Sequence, residues 1–155
     1  TVMTQAPLAR LRDATIDDVG AILRLIEPLE ADGTLVKRGR ERLEMEVGRF
    51  SLVEHDGVVV GCAALYPFAD AKSAELACVA VMPDFRRSGY GDQLRIYIEA
   101  RAKKMKLKQI FVLTTRTAHW FIERGFVEST VDALPAARRE VYNLQRRSKV
   151  LVKTL

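Results

Sequence analysis

Hydrophobic positions along the chain switch between two periods, and the switches mark out the elements. Residues 8–14, LARLRDA, predict a first short strand. Thr15 then offers an N-cap, and Ile16, Val19, Ile22, Leu23 and Ile26 recur at helical spacing, with Pro28 expected to end that helix at Glu27. A polar loop, DGTLVKRGR, leads into a short helix in ERLEMEVGR that buries Leu43 and Val47. FSLVEHDGVVVGCAALYPF reads as a hairpin, because two β-prone runs flank Asp56-Gly57, a dipeptide that tolerates the positive φ values of a type I′ turn. SAELACVAVMP is apolar on both faces, which predicts a strand inside a sheet. From about Gly91 to Lys104 a helix follows, with Leu94, Tyr97, Ile98 and Met105 as its inner stripe. QIFVLTT predicts a buried strand, TAHWFIER a short helix, and Gly125-Phe126-Val127 the start of another strand. LPAARREVYNLQRRSKVLVKTL predicts a helix and then a closing strand at KVLVKTL.

The resulting order is β-α-α-β-β-β-α-β-α-β with a basic tail element. Meanders come first and βαβ units later, so the chain is expected to be α+β, with a mixed sheet and helices on both faces. Its 155 residues fit one domain, and 48% hydrophobic content is that of a globular protein. No apolar run is long enough to span a membrane, and TVMTQAPLAR lacks the pattern of a signal peptide. The two cysteines, Cys62 and Cys78, lie in no CxxC or His/Cys cluster. That predicts a reducing compartment, hence the cytoplasm, and neither a metal site nor a disulfide framework.

Charge narrows the partners. The formal net charge is +5, with Arg138, Arg139, Arg146, Arg147, Lys149 and Lys153 gathered in one tail. Little aromatic residue content interleaves these cations, so an anionic cofactor or substrate is a better expectation than nucleic acid.

The candidate chemistry begins at VAVMPDFRRSGYGDQL, residues 79–94. A strand ends, Arg86 and Arg87 follow, and Gly89 and Gly91 sit where a helix opens. Glycines there allow close backbone approach, the amides of residues 88–92 converge with the helix dipole behind them, and arginine adds a forked donor. No Gly-Lys-Ser/Thr follows, so this is not a P-loop. G-x-G-x-x-G is absent too, so it is not a dinucleotide fingerprint.

The stretch resembles motif A of the GNAT acetyltransferase superfamily, Q/R-x-x-G-x-G/A, matched here by Arg86, Gly89 and Gly91. The element order fits that family across about residues 8–130, and WFIERGF resembles its YEKxGF segment. The resemblance implies a GNAT fold with a bulge or splay in the cofactor strand, and acetyl-CoA as cosubstrate. It assigns Val79 and Val81, with Arg86, Arg87, Ser88, Gly89, Tyr90, Gly91 and Asp92, to the cofactor, and sets Phe121 beside the thioester.

LVKRGRERLEMEVGRF, CAALYPF, ELACVAVMPDFR, FVLTTRTAHWFIERGF and YNLQRRSKVL further resemble the acetyltransferase domain of long, two-domain bacterial N-acetylglutamate synthases. That resemblance implies an L-glutamate acceptor, a place at the start of arginine biosynthesis, and residues 1–155 as the C-terminal part of a longer enzyme. It also implies homo-oligomers, and arginine control through a domain outside this chain. Other readings stay open: a GNAT enzyme for another small-molecule or protein amine, or a non-catalytic acyl-CoA-binding module.

Acetyl transfer needs a neutral amine, and a carboxylate can take its proton directly or through water. Glu75 is the only acid inside the apolar run of its strand. The resemblance brings Cys78 near the acceptor. Strict alternation puts Glu75 and Cys78 on opposite faces, so a bulge is expected between Glu75 and Val79. Two substrate carboxylates call for two cationic grips. The resemblance points to Lys37 and Arg38 in one loop and to Arg147, Ser148 and Lys149 in the tail. Phe121 stands where many GNAT enzymes carry a tyrosine acid, which leaves Thr114, Tyr66, Cys78 or water to protonate the thiolate. His119 and Trp120 read as surface and packing residues.

Overall fold

The computed structural model describes residues 9–142 and 148–155. Its strands are β1 (Ala9–Asp13), β2 (Phe50–His55), β3 (Val58–Phe68), β4 (Ser73–Val81), β5 (Gln109–Thr114), β6 (Val127–Ser129) and β7 (Lys149–Thr154). Helices α1 (Val19–Ala31), α2 (Arg40–Glu46), α3 (Tyr90–Lys104), α4 (Ala118–Ile122) and α5 (Ala136–Arg139) connect them. The strands form one seven-stranded sheet in the order β1-β2-β3-β4-β5-β7-β6. Pairing is antiparallel for β1–β2, β2–β3, β5–β7 and β6–β7, and parallel for β4–β5. A parallel neighbour needs a crossover, and α3 supplies it, so the sheet is mixed as the alternation predicted.

Two compact units divide the chain. One holds the residues up to Ala64 with Cys78–Ile98, and the other holds Leu65–Ala77 with Glu99–Leu155.

In the first unit the β2–β3 hairpin closes at His55↔Val58 across Asp56 at φ 50° and Gly57 at φ 82°. Both central residues have positive φ, as a type I′ turn requires. Ile22, Ile26, Leu43, Phe50, Leu52, Leu94 and Ile98 are fully buried, each stabilising by roughly 1.5–3 kcal/mol. Helix entry at Thr15 is closed by Asp18, whose carboxylate accepts from the Thr15 backbone N–H at 2.7 Å. Arg12 clamps the same carboxylate with two bonds of 2.8 Å and reaches Glu54 at 2.9 Å.

The Arg12 hydrogen bonds, opposed by burial and aided by the Thr15 amide, lower the Asp18 pKa from 3.8 to about 2. A depressed carboxylate stabilises the fold fully above its unfolded pKa and loses that contribution as pH falls toward the folded value. At roughly 1.4 kcal/mol per pH unit, about 2 kcal/mol is at stake. Asp18→Asn should flatten the decline of Tm between about pH 4 and pH 2, measured by thermal circular dichroism. Parallel slopes for the two proteins would refute the linkage.

Two helix ends depart from expectation. Helix α1 runs through Pro28 to Ala31 instead of stopping at Glu27. Proline removes one backbone donor, and the following turn is held by Asp32 N–H to Pro28 O at 3.2 Å and Leu35 N–H to Leu29 O at 3.0 Å. Met105 lies outside the inner stripe, 47% exposed, because the helix ends at Lys104 and Lys106 turns left-handed at φ 60°. Leu107 takes the buried position instead.

In the second unit β5 is the spine. It pairs with β7 along its whole length, and Phe111, Leu134 and Val150 form a core bordered by Phe68, Leu113, Val131, Tyr142 and Val152. Lys153 is not part of a solvated basic tail, since its Nζ lies 2.9 Å from Glu99 Oε1 with both side chains largely buried. A charge at that depth needs a partner, and Glu99 provides one.

Candidate active site

In the first unit the chain leaves β4 at Val81, makes a 3-10 turn over Pro83–Phe85, and enters α3 at Tyr90. Arg86 N–H bonds to Pro83 O at 3.3 Å, Ser88 N–H to Phe85 O at 3.1 Å, and Gln93 N–H to Gly89 O at 3.1 Å. The Ser88 hydroxyl also donates to the Phe85 carbonyl. Ser88's amide is therefore used within the protein. The N–H groups of Gly89, Tyr90 and Gly91 donate to no backbone carbonyl among the described residues. Gly89 sits at φ 86° with nothing within 4 Å of where a Cβ would stand, so glycine is needed there for conformation and not for space. Arg86 and Arg87 are exposed, and neither has an ion-pair partner among the described residues. Asp92 is turned to Arg95, with 3.3 Å to its Nε.

Val79 and Val81 are half-buried on β4, and the backbone leaves strand geometry at Cys78, which lies at φ 55°. This break falls inside the interval where a bulge is expected. The Cys62 thiol donates to the Cys78 carbonyl at 3.4 Å. Burial raises the Cys62 pKa well above its ordinary value and neighbouring Cys78 adds to this, while the Ala80 amide and the charge of Arg38 oppose it. Arg38 is half-buried; its backbone N–H bonds to Glu30 Oε2 at 2.6 Å and its Nη1 to Val36 O at 3.2 Å. Lys37 is exposed beside it.

In the second unit Glu75 faces Phe111 across the parallel β4–β5 ladder, whose pairing covers Ser73–Glu75 with Gln109–Phe111. Its carboxylate is held by Arg138 of α5, Nε to Oε1 at 2.7 Å, with side chains 20% and 12% exposed for Arg138 and Glu75. Sequence reading assigned Arg138 only to the basic tail. The available signal was Glu75 itself, because an acid within an apolar strand requires a countercharge. Which arginine supplies it, 63 residues away, no local pattern tells.

Thr114 is buried, and its hydroxyl lies 2.8 Å from that of Thr117 while accepting from the backbone of Arg116 and Thr117. Turn closure thus occupies the group considered as an acid. Phe121 packs edge-on against Trp120 and Phe126, at centroid distances of 4.9 and 5.3 Å. His119 is exposed and pairs with Glu123, while Trp120 is half-buried beneath Arg124. Lys149 is opposite Thr114 in the β5–β7 register, and the Ser148 carbonyl accepts from the Tyr142 hydroxyl at 2.6 Å. Arg147 lies outside the described residues. No group of His, Cys, Asp or Glu side chains suited to a metal ion occurs among the described residues, nor does a helix long and apolar enough to cross a membrane.

Comparison with known proteins adds independent findings. The model of the acetyltransferase (GNAT) family matches residues 21–126. An amino-acid acetyltransferase of Azotobacter vinelandii is 59% identical over 155 residues, which are 100% of this chain and 36% of that relative. The chain thus spans about a third of the length of the curated relatives it matches. N-acetylglutamate synthase from Neisseria gonorrhoeae, solved with coenzyme A and N-acetyl-glutamate, superposes with a TM-score of 0.92 at 41% identity, over 97% of this chain and 36% of that one. The same synthase with coenzyme A and L-arginine gives a TM-score of 0.86 at 41% identity, over 95% of this chain and 33% of that one.

Proposed function

The chain belongs to the acetyltransferase (GNAT) family, and from that premise we propose that it transfers the acetyl group of acetyl-CoA to the α-amine of L-glutamate, releasing coenzyme A and N-acetyl-L-glutamate. The observation that carries this reading is the R-x-x-G-x-G turn, where the amides of Gly89, Tyr90 and Gly91 donate to no backbone carbonyl among the described residues and Arg86 and Arg87 are exposed. Such a turn suits a diphosphate, since the amides and the helix dipole attract an anion and arginine neutralises it. High identity to an amino-acid acetyltransferase along the whole chain supports a small amino-acid acceptor over a protein terminus.

In this mechanism Glu75 takes a proton from the substrate ammonium, directly or through one water, and the neutral amine attacks the thioester carbon. The C–N bond forms, the nitrogen gives up its surplus proton to water, and the tetrahedral centre collapses as the C–S bond breaks with the electron pair leaving on sulfur. Arg138 holds the Glu75 carboxylate in one orientation. With the Thr114 hydroxyl engaged by its own turn, water or another neighbour supplies the proton to the thiolate. Lys37 with Arg38, and Arg147 with Ser148 and Lys149, are the two basic groups proposed for the glutamate carboxylates. The thiols of Cys62 and Cys78 are buried and joined in no disulfide, which suits a reducing compartment, and we assign the chain to the cytoplasm.

A thiol-release assay with acetyl-CoA and a panel of amino acids tests the reading. Release that depends on glutamate is expected, and release with none of them would overturn it. Arg147→Ala should raise the glutamate KM about 10–100-fold, the cost of one charged hydrogen-bonding partner, while the acetyl-CoA KM stays within about twofold. Equal rises in both KM values would remove Arg147 from the acceptor site.

A further inference from the structure

His55, the last residue of β2, makes contacts that neither the fold nor the proposed chemistry requires. Its Nδ1 lies 2.6 Å from the Tyr90 hydroxyl, and its ring is 4.7 Å from Phe85 and 5.9 Å from Tyr90 between centroids. Phe85 and Tyr90 are themselves stacked, 6.1 Å apart at 25°. These two aromatics are the residues on either side of Arg86–Gly89, the exposed part of the anion-binding turn. One imidazole therefore touches both ends of the loop, 30 or more residues away in sequence.

A carboxylate flanks the far side of the same ring. The Asp56 carboxylate lies 3.6 Å from His55 Nε2. Nδ1 and the Tyr90 hydroxyl share one hydrogen bond, whichever of the two carries its proton. Tyr90 is only 6% exposed, so its side chain faces the protein, while its backbone N–H donates to no backbone carbonyl among the described residues.

We propose that His55 is a positioning residue for the diphosphate-gripping turn: through Tyr90 and Phe85 it holds both ends of Arg86–Gly89, so that the amides of residues 89–91 converge before any ligand arrives. This rests on the acetyl-CoA reading given above. The physical benefit is preorganisation, because a loop already ordered pays less conformational entropy when it binds. His55 touches no reacting atom, so its effect falls on cofactor affinity and not on the chemical step.

The test uses His55→Phe, which keeps a ring and loses the ring nitrogens, Tyr90→Phe, which loses the hydroxyl, the double variant, and His55→Gln, which restores a group able to hydrogen-bond in either direction. Coenzyme A affinity is measured by titration calorimetry, kcat and the glutamate KM by thiol release, and amide hydrogen exchange at residues 89–91 without ligand. Each single variant should weaken coenzyme A about tenfold, the loss expected for one hydrogen bond, with kcat and the glutamate KM within about twofold. The double variant should be no weaker than the worse single, because both remove the same bond. Exchange at residues 89–91 should rise, and His55→Gln should recover most of the affinity. Unchanged exchange, additive losses, or a fall in stability without a change in coenzyme A affinity would overturn the inference. A parent chain that binds coenzyme A equally with its variants sinks this inference alone. A parent chain that binds none sinks the acetyl-CoA reading and this inference together.

Discussion

Glu75→Gln is expected to lower kcat for acetyl transfer about 10²–10³-fold while coenzyme A affinity stays within about twofold. The substitution keeps size and an oxygen for Arg138 Nε to bond, so the side-chain contact of 2.7 Å survives in form. What is lost is the ability to accept a proton. Turnover then depends on the fraction of acceptor amine that is neutral without help, which rises tenfold per pH unit below the amine's own pKa. The variant's rate should climb accordingly with pH, while the parent's levels off earlier. Glu75→Ala is a poorer probe, since it strands the largely buried Arg138 guanidinium and adds a folding defect. If Glu75→Gln keeps more than half of the parental kcat, the proton leaves by another route and Glu75 serves only to anchor α5.

Gly89→Val should raise the acetyl-CoA KM about 10–100-fold with little change in the glutamate KM. Because the Cβ of Gly89 would meet no heavy atom within 4 Å, crowding contributes nothing. The penalty comes from φ 86°, where an L-residue costs roughly 1–2 kcal/mol. A branched residue relieves that cost by rotating φ toward negative values, which swings the amides of Gly89, Tyr90 and Gly91 apart. Arg86 and Arg87 would remain, so residual binding should become more sensitive to salt as bare charge replaces directed hydrogen bonds. Steady-state kinetics at two ionic strengths measures this. An acetyl-CoA KM within twofold of the parent would show that the turn does not grip the cofactor.

Elements whose signal is local were readable from residues alone. Asp56-Gly57 announced its turn because only a few dipeptides accept two positive φ values in succession. The glycine turn after β4 was readable for a similar reason, since glycine at residue 89 answers a backbone need, φ 86°, that few other residues meet. Pro28 misled because the local rule against helix before proline lost to a turn held from outside by Asp32 and Leu35. Met105 misled because helical spacing continues on paper past the point where Lys106 turns left-handed. The Glu75–Arg138 and Glu99–Lys153 pairs were invisible, as both join residues more than 50 positions apart and neither partner's surroundings carry a pattern. Thr114 was legible as a residue near a strand end. Its hydroxyl's commitment to Thr117 is a matter of geometry that sequence does not encode in any short word.

The seclusion of Cys62 and Cys78, 0% and 3% exposed, has a bearing on how turnover is followed. Chromogenic disulfide reagents, which colour with free coenzyme A, would find neither sulfhydryl on the intact chain, so the baseline should be flat before acceptor is added. A slow drift in that baseline would then count molecules coming apart, and a single cuvette would report both catalysis and the survival of the catalyst.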